Sequence, residues 1–212
     1  MNCVLCLNQN LTTIQVGEIN YFNCANCDLI FLDPKHRLSA EDEKKRYELH
    51  ENNVLDLGYQ NFVGELCATV QANQLPNAKG LDYGSGKSSA VSYLLKQDSY
   101  QIQSYDPFFE PDSAQLTPQS FDYVILCEVA EHFFHPRIEF EKLKSYLKPQ
   151  GFLFILTALK TDQIDFDTWS YRRDPTHVCF YSEKTFQWIK EDLGFKVLKI
   201  EKPNLIVLQK KD

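Results

Sequence analysis

No apolar run in these 212 residues approaches the roughly 20 that a bilayer-spanning helix needs. The opening MNCVLCLNQN lacks both the basic start and the long apolar stretch of a secretory signal. A cytoplasmic protein is therefore expected, in a compartment where thiols stay reduced. Residues 1–33 contain neither Lys nor Arg, and the basic clusters elsewhere, KHR at 35–37 and YRRD at 171–174, are short. With 22 basic against 29 acidic residues, the net charge of −7 repels a phosphate backbone and disfavours a polynucleotide partner. Internal repeats and low-complexity segments are also lacking, which excludes a solenoid. What is present is an ordinary globular composition, 43% hydrophobic and 24% charged. The length suits one main domain with a small appendage, and a core that needs no disulfide. A small substrate or a cationic cofactor fits the charge balance best.

Four of the seven cysteines form two CxxC pairs, Cys3 with Cys6 and Cys24 with Cys27, and 17 residues separate the pairs. Two residues between thiolates let one tight turn offer both sulfurs to a tetrahedral ion, and the separation is that of a zinc ribbon. TTIQVGEINYFNC, with Gly17 at its middle, reads as the hairpin a ribbon needs, and DLIFLDP as a further strand. Four thiolates leave no position for water, so the expected zinc is structural. Reduced, unliganded cysteines are the alternative; neither pair sits at a thioredoxin-like helix start. Cys67, Cys127 and Cys179 lie in apolar or mixed surroundings and read as small buried residues.

Two helices are expected after the ribbon. One spans SAEDEKKRYELH (39–50) with Ser39 as N-cap; the other spans 58–75, with Phe62, Leu66 and Val70 on its inner face. Strand and helix patterns then alternate. KGLDY, YQIQSYD (100–106), FDYVILCE (121–128) and FLFILTA (152–158) read as strands. A helix capped by Ser88 or Ser89, IEFEKLKSYL (138–147) and SEKTFQWIKEDLG (182–194) read as helices. FKVLKI and LIVLQK close the chain as an antiparallel hairpin. This order implies an α/β fold with a mainly parallel, doubly wound, Rossmann-like sheet. The expected division is a ribbon at 1–34, a helical linker or lid at 35–78 and the main domain at 79–212.

The glycines in LDYGSGKSSA (81–90) admit three ligands. A triphosphate loop of the G-x4-G-K-[ST] type fails, because its first glycine falls on Leu81. A dinucleotide fingerprint lacks its third glycine, which falls on Ser89. An S-adenosylmethionine (SAM) loop, D/E-x-G-x-G-x-G, matches at Asp82, Gly84 and Gly86 and departs at Ser88. SAM carries no phosphate, and the Asp82 carboxylate suits a ligand with an ammonium and a sulfonium. Asp106, 20 residues beyond Gly86 at the end of the next strand, is placed to accept from both ribose hydroxyls.

With FDYVILCEVAEHF (121–133) and YLKPQGFLFILT (146–157), the whole chain resembles bacterial class I SAM-dependent methyltransferases carrying an N-terminal zinc ribbon. The layout is also similar to deoxysugar C-methyltransferases, which have an extra C-terminal domain, so their substrate class does not carry over. The resemblance implies cofactor contacts from Asp82, Tyr83, Gly84, Ser85, Gly86, Asp106, Pro107, Cys127 and Glu128. Only 14 residues separate Asp106 from Phe121, too few for the family's usual helix and third strand. An apolar wall for adenine is expected from Phe108 or Phe109 instead, with Ser113 and Ala114 as weaker candidates.

The sulfonium supplies the activated methyl group, so the chain's task is positioning and, for a hydroxyl or acidic carbon, a general base. His177, in YRRDPTHVCFY, is the first choice and His132 the second. Tyr47 and His50 fall on the lid helix, and Tyr171, Arg172 and Arg173 are candidates to grip an anionic acceptor. The Asn/Asp-Pro-Pro-aromatic run typical of enzymes acting on planar exocyclic amines is missing at 127–132. The expected activity is methyl transfer to a small, anionic metabolite at oxygen or carbon. Rival readings are an RNA methyltransferase, a non-catalytic SAM-binding adaptor whose ribbon docks a partner, and an NAD-dependent oxidoreductase. The oligomeric state is not legible.

Overall fold

The computed structural model describes residues 1–49, 53–201 and 203–212. The chain opens with β1 (Leu11–Val16), β2 (Ile19–Cys24) and β3 (Ile30–Leu32), an antiparallel meander turned at Gly17. Helix α1 (Ala40–Glu48) follows, with the Ser39 hydroxyl accepting from the Asp42 N–H and three acidic residues in its first turn. Helix α2 (Leu57–Asn73) is capped by Asp56, which the Tyr59 N–H meets at 2.7 Å. Leu66 and Val70 are buried on α2 as expected, whereas Phe62 is 47% exposed and faces a cleft instead of the core. No helix among the described residues is long and apolar enough to cross a membrane.

The main sheet comprises β4 (Lys79–Tyr83), β5 (Gln101–Tyr105), β6 (Phe121–Cys127), β7 (Leu147–Leu156), β9 (Phe195–Glu201) and β10 (Leu205–Lys210), in the spatial order β5-β4-β6-β7-β10-β9. Its first four strands are parallel, and β10 and β9 add an antiparallel edge. The order reverses between β4 and β6, so their carboxyl ends flank the crevice where this architecture binds ligands. Residues 107–120 contribute a short 3-10 turn at Ser113–Gln115 and no strand, in keeping with the short span after Asp106. Strand β7 starts at Leu147, five residues before the apolar run. Leu147 pairs with Phe121 across a register irregularity, which takes Pro149 and Gly151 into the strand.

Strand alternation sorts the core into two layers. Tyr123, Ile125, Leu205 and Val207 pack on the side of α2 and α3 (Ala90–Gln97), against Val63, Val70, Val91 and Leu95. Val124, Leu126, Ile206 and Leu208 face the side of α4 (Pro136–Tyr146) and α5 (Glu183–Asp192), against Phe140, Leu143, Phe186 and Ile189.

One strand was not foreseen. β8 (Cys179–Phe180) pairs antiparallel with β3, matching Ile30 to Phe180 and Phe31 to Cys179, and so becomes the fourth strand of the ribbon sheet. Two residues are too few to show a period, and pairing alone makes them a strand. The Phe180 ring, fully buried, meets Tyr21 of the ribbon at 5.9 Å and Phe166 at 5.1 Å, both edge-on. Phe180→Ala should therefore cost about 3–5 kcal/mol in urea denaturation, with the ribbon hairpin becoming the first site of limited proteolysis. A loss below about 1 kcal/mol would mean that the ribbon is not anchored through this ring.

Candidate functional site

A cleft of about 630 Å³ lies over the ends of β4 and β6. Its floor begins at Gly84 (φ +82°) and Gly86 (φ +64°). A Cβ on Gly84 would stand 2.7 Å from the Val129 side chain, so only glycine lets the first loop press against the segment after β6. A Cβ on Gly86 would meet nothing within 4 Å, which leaves an open notch over the loop. Ser89, not Ser88, caps α3 by accepting from the Ser92 N–H.

The two aspartates serve this loop differently. Asp82 lines the cleft but is 1% exposed, and its Oδ2 accepts the Ser92 hydroxyl at 2.7 Å. Burial pushes its carboxyl above the usual range, against the hydrogen bonds of Ser89 and Ser92. Asp106 accepts three backbone N–H groups: Gly86 on Oδ2 at 2.9 Å, and Phe108 and Phe109 on Oδ1 at 2.8 and 3.1 Å. With about two lone pairs per oxygen, Oδ1 is filled and Oδ2 keeps one site. Asp106 thus keeps its remaining acceptor capacity on Oδ2. Phe108 and Phe109 line the cleft beside it, with the Lys87 ammonium 5.4 Å from the Phe109 ring centre. Tyr83, Ser85, Pro107, Cys127 and Glu128 also line the cleft, whereas Ser113 and Ala114 do not.

Beyond this half lies a cluster from CEVAEH and PTHVCF. Glu128 (φ +53°) and Glu131 stand close enough for each to oppose the other's ionisation. Burial first, and then the Glu131 charge, push Glu128 up to about 8. Glu131 is fully buried; its Oε2 accepts the Thr157 hydroxyl at 2.9 Å, while Oε1 accepts no hydrogen bond. His132 Nδ1 lies 2.9 Å from the Thr176 carbonyl and His177 Nδ1 lies 2.7 Å from the Tyr171 carbonyl. A carbonyl only accepts, so both Nδ1 atoms carry hydrogen. Burial and then the neighbouring His132 lower the His177 pKa, which keeps its imidazole neutral at physiological pH. The two imidazole rings meet edge-on, 4.9 Å apart.

The segment 176–181 is stitched along the turn 130–133. Val178 donates its N–H to the Glu131 carbonyl at 2.8 Å, and the Tyr181 hydroxyl donates to Ala130 at 2.9 Å. On its other side, Val178 accepts from the ribbon's Leu32 N–H at 2.9 Å. Tyr47 of α1 closes the cleft edge-on to His132, 5.3 Å away, with its hydroxyl on Glu43 at 2.9 Å. Phe62, Glu43 and Glu131 were not singled out. Phe62 read as part of its helix's inner face, and for Glu131 the signal was EVAEH itself.

The arginines lie elsewhere. Arg172 donates to the Phe166 and Asp167 carbonyls and the Tyr21 hydroxyl, and Arg173 to the Thr168 carbonyl; neither lines the cleft. Tyr171 sits behind the carboxylates, with its hydroxyl 3.2 Å from that of Thr157. His50 falls outside the described residues. At the ribbon, Cys3 and Cys27 sulfurs are 3.6 Å apart, Cys6 and Cys24 sulfurs 3.3 Å, and all four lie within 4.8 Å of one another. Tetrahedral zinc with bonds of about 2.3 Å separates sulfurs by roughly 3.8 Å, so this donor set fits that ion.

A family model described as a methyltransferase domain matches residues 27–200. The chain belongs to that family. The match begins inside the ribbon and takes in β8. The methyltransferase is also similar in fold to three solved proteins. One is the Burkholderia thailandensis 1,6-didemethyltoxoflavin-N1-methyltransferase, at 13% identity and TM-score 0.60, covering 95% of this chain and 99% of that one. Another is the Synechocystis magnesium protoporphyrin IX methyltransferase, at 16% identity and TM-score 0.52, covering 82% and 92%. The third is the [4+2]-cyclase SpnF, at 12% identity and TM-score 0.51, covering 76% and 85%. A search of curated proteins finds none that matches in sequence.

Helix α1 and the loop before His177 share an ion pair, Arg46 Nη2 to Asp174 Oδ2 at 3.1 Å. Burial raises the Asp174 carboxyl, but hydrogen bonds from Thr176 and Arg46 outweigh it and hold the group well below the usual carboxylate range. A lowered folded pKa adds stability above the unfolded value of about 4, and this is lost as pH falls through the folded value. Asp174→Asn should therefore unfold with a shallower acid dependence below about pH 4, and be of order 1 kcal/mol less stable at pH 7. Parallel acid profiles for the two proteins would count against the pairing.

Proposed function

We propose that this methyltransferase moves the methyl group of SAM to a small metabolite at oxygen or carbon. The open notch over Gly86, bounded by Asp106 and leading to His132 and His177, carries this reading. SAM supplies an activated methyl group whose displacement needs alignment above all. The Gly84–Gly86 loop and Asp106 hold the nucleoside half, with Phe108 and Phe109 as an apolar wall. His177, neutral and hydrogen-bonded at Nδ1, presents Nε2 as the group that takes or balances the acceptor's proton, and His132 assists. Tyr47 and Phe62 cover the acceptor. An anionic acceptor gains no support from Arg172 and Arg173, which are spent on carbonyls; Lys87 is the lining cation next to the notch. The shared fold with a cyclase is why this assignment rests on the site and not on architecture.

The four ribbon cysteines hold a structural zinc in this reading, and the ribbon, lid and catalytic sheet act together. The absence of Lys and Arg from residues 1–33 leaves the ribbon without a cation to grip RNA. Incubating the full chain with methyl-labelled SAM and fractionated cell metabolites should transfer label into a small O- or C-methylated product. His177→Ala should lower kcat by about 10²–10⁴-fold while still binding the demethylated product, S-adenosylhomocysteine. Label found in RNA would replace the small-acceptor reading. Cofactor binding without transfer to any fraction would favour an adaptor.

A further inference from the structure

We infer that Glu131, His132 and His177 form a divalent-cation site at the acceptor end of the cleft. One ligand atom from each residue lies within 4.8 Å of those of the other two. Both imidazoles are held in the tautomer a metal requires. Each Nδ1–H is committed to a backbone carbonyl, Thr176 for His132 and Tyr171 for His177, so Nε2 is the ring atom that each offers as a ligand. The carboxylate points to the same place independently. Glu131 is fully buried and its Oε2 is fixed by Thr157, yet Oε1 accepts no hydrogen bond and stands 3.9 Å from His132 Nε2. A buried oxygen without a donor costs stability unless something else satisfies it. A cation held there does so.

Ligand bonds of roughly 2.1 Å place neighbouring donors ~3 Å apart and opposite ones ~4.2 Å apart, so side-chain rotations of about an ångström complete the set. Two imidazoles and a carboxylate favour first-row ions such as Mn²⁺ or Fe²⁺ over Mg²⁺ or Ca²⁺, and leave positions open toward the cleft. An acceptor presenting two neighbouring oxygens, such as a vicinal diol or an α-hydroxy acid, would chelate there. Its hydroxyl proton leaves to water as the oxygen ionises on the cation. In the loaded state the imidazoles act by ligation and not by proton transfer. The acceptor class rests on the proposed methyl transfer; binding of the ion does not.

The test is Mn²⁺ binding by the intact chain without SAM, read from loss of the free-ion EPR signal. Mn²⁺ prefers oxygen and nitrogen and leaves the ribbon's thiolates alone. One Mn²⁺ per chain is expected. Glu131→Gln, which keeps a partner for Thr157, and His177→Ala should each weaken binding by roughly 100-fold or more, beyond the effect of outer-sphere partners. Glu43→Gln, on the lid, should not change it. S-adenosylhomocysteine binding by each variant reports that the cleft is still folded, and His177→Ala decides the matter if the Glu131 variant is not. Failure to bind millimolar Mn²⁺, or binding unchanged in a folded variant, overturns the site. Methyl transfer that persists in metal-free protein overturns the metal role and leaves the proposed function standing, whereas Mn²⁺ binding without transfer does the reverse.

Discussion

The backbone of Val178 is the joint on which this molecule depends. Its N–H is held by Glu131 and its carbonyl by Leu32, so one residue is tied to the turn after β6 and to the ribbon. The residues assigned to the proposed acceptor end lie within a few residues of that joint. His177 precedes it, Glu131 and His132 face it, and β8, which follows, completes the ribbon sheet. The ribbon is thus built into the wall of the cleft. Remove the ribbon, and the strap 176–181 loses one of its two rows of partners.

The cleft has two halves with different physics. The half at Gly84 and Gly86 is a backbone surface, shaped by φ > 0 and by the close packing of Val129, with Asp106 ordering loops on both sides. Its specificity comes from what can approach the main chain. The half at Glu131 is a buried, charged side-chain surface in which two carboxylates stand side by side among imidazoles. Burial raises both acids and lowers His177, so the charged forms are disfavoured until a ligand compensates. The proposed methyl transfer uses this combination, a rigid seat for the donor and an acceptor end that responds to what enters.

Much of the fold was legible because its signals are local. The CxxC spacing, the turn at Gly17, the Ser39 cap and the apolar run Tyr123–Leu126 act over a few residues. The lack of room for a third strand after Asp106 was simple counting. What escaped depends on distant partners. β8 exists because β3 lies beside it, and Phe62 leaves the core because α2 turns that side to the cleft. Arg172 looked like an anion clamp, yet carbonyls six and five residues upstream and Tyr21 of the ribbon claim it. At the site, GSG, Asp106, His132 and His177 were readable from motif and order. The occupation of Asp106 by three amides and the unmet oxygen of Glu131 belong to three-dimensional packing alone.

Hydrogen exchange of the full chain, comparing wild type with a Cys24→Ser/Cys27→Ser variant, addresses the joint most directly. Opening the ribbon should strip protection from residues 1–33 and, with them, from 176–181 and 130–133, while the amides of β6 and β7 stay protected. If 176–181 keeps its protection although the ribbon has opened, the acceptor end stands without the ribbon and the account is wrong.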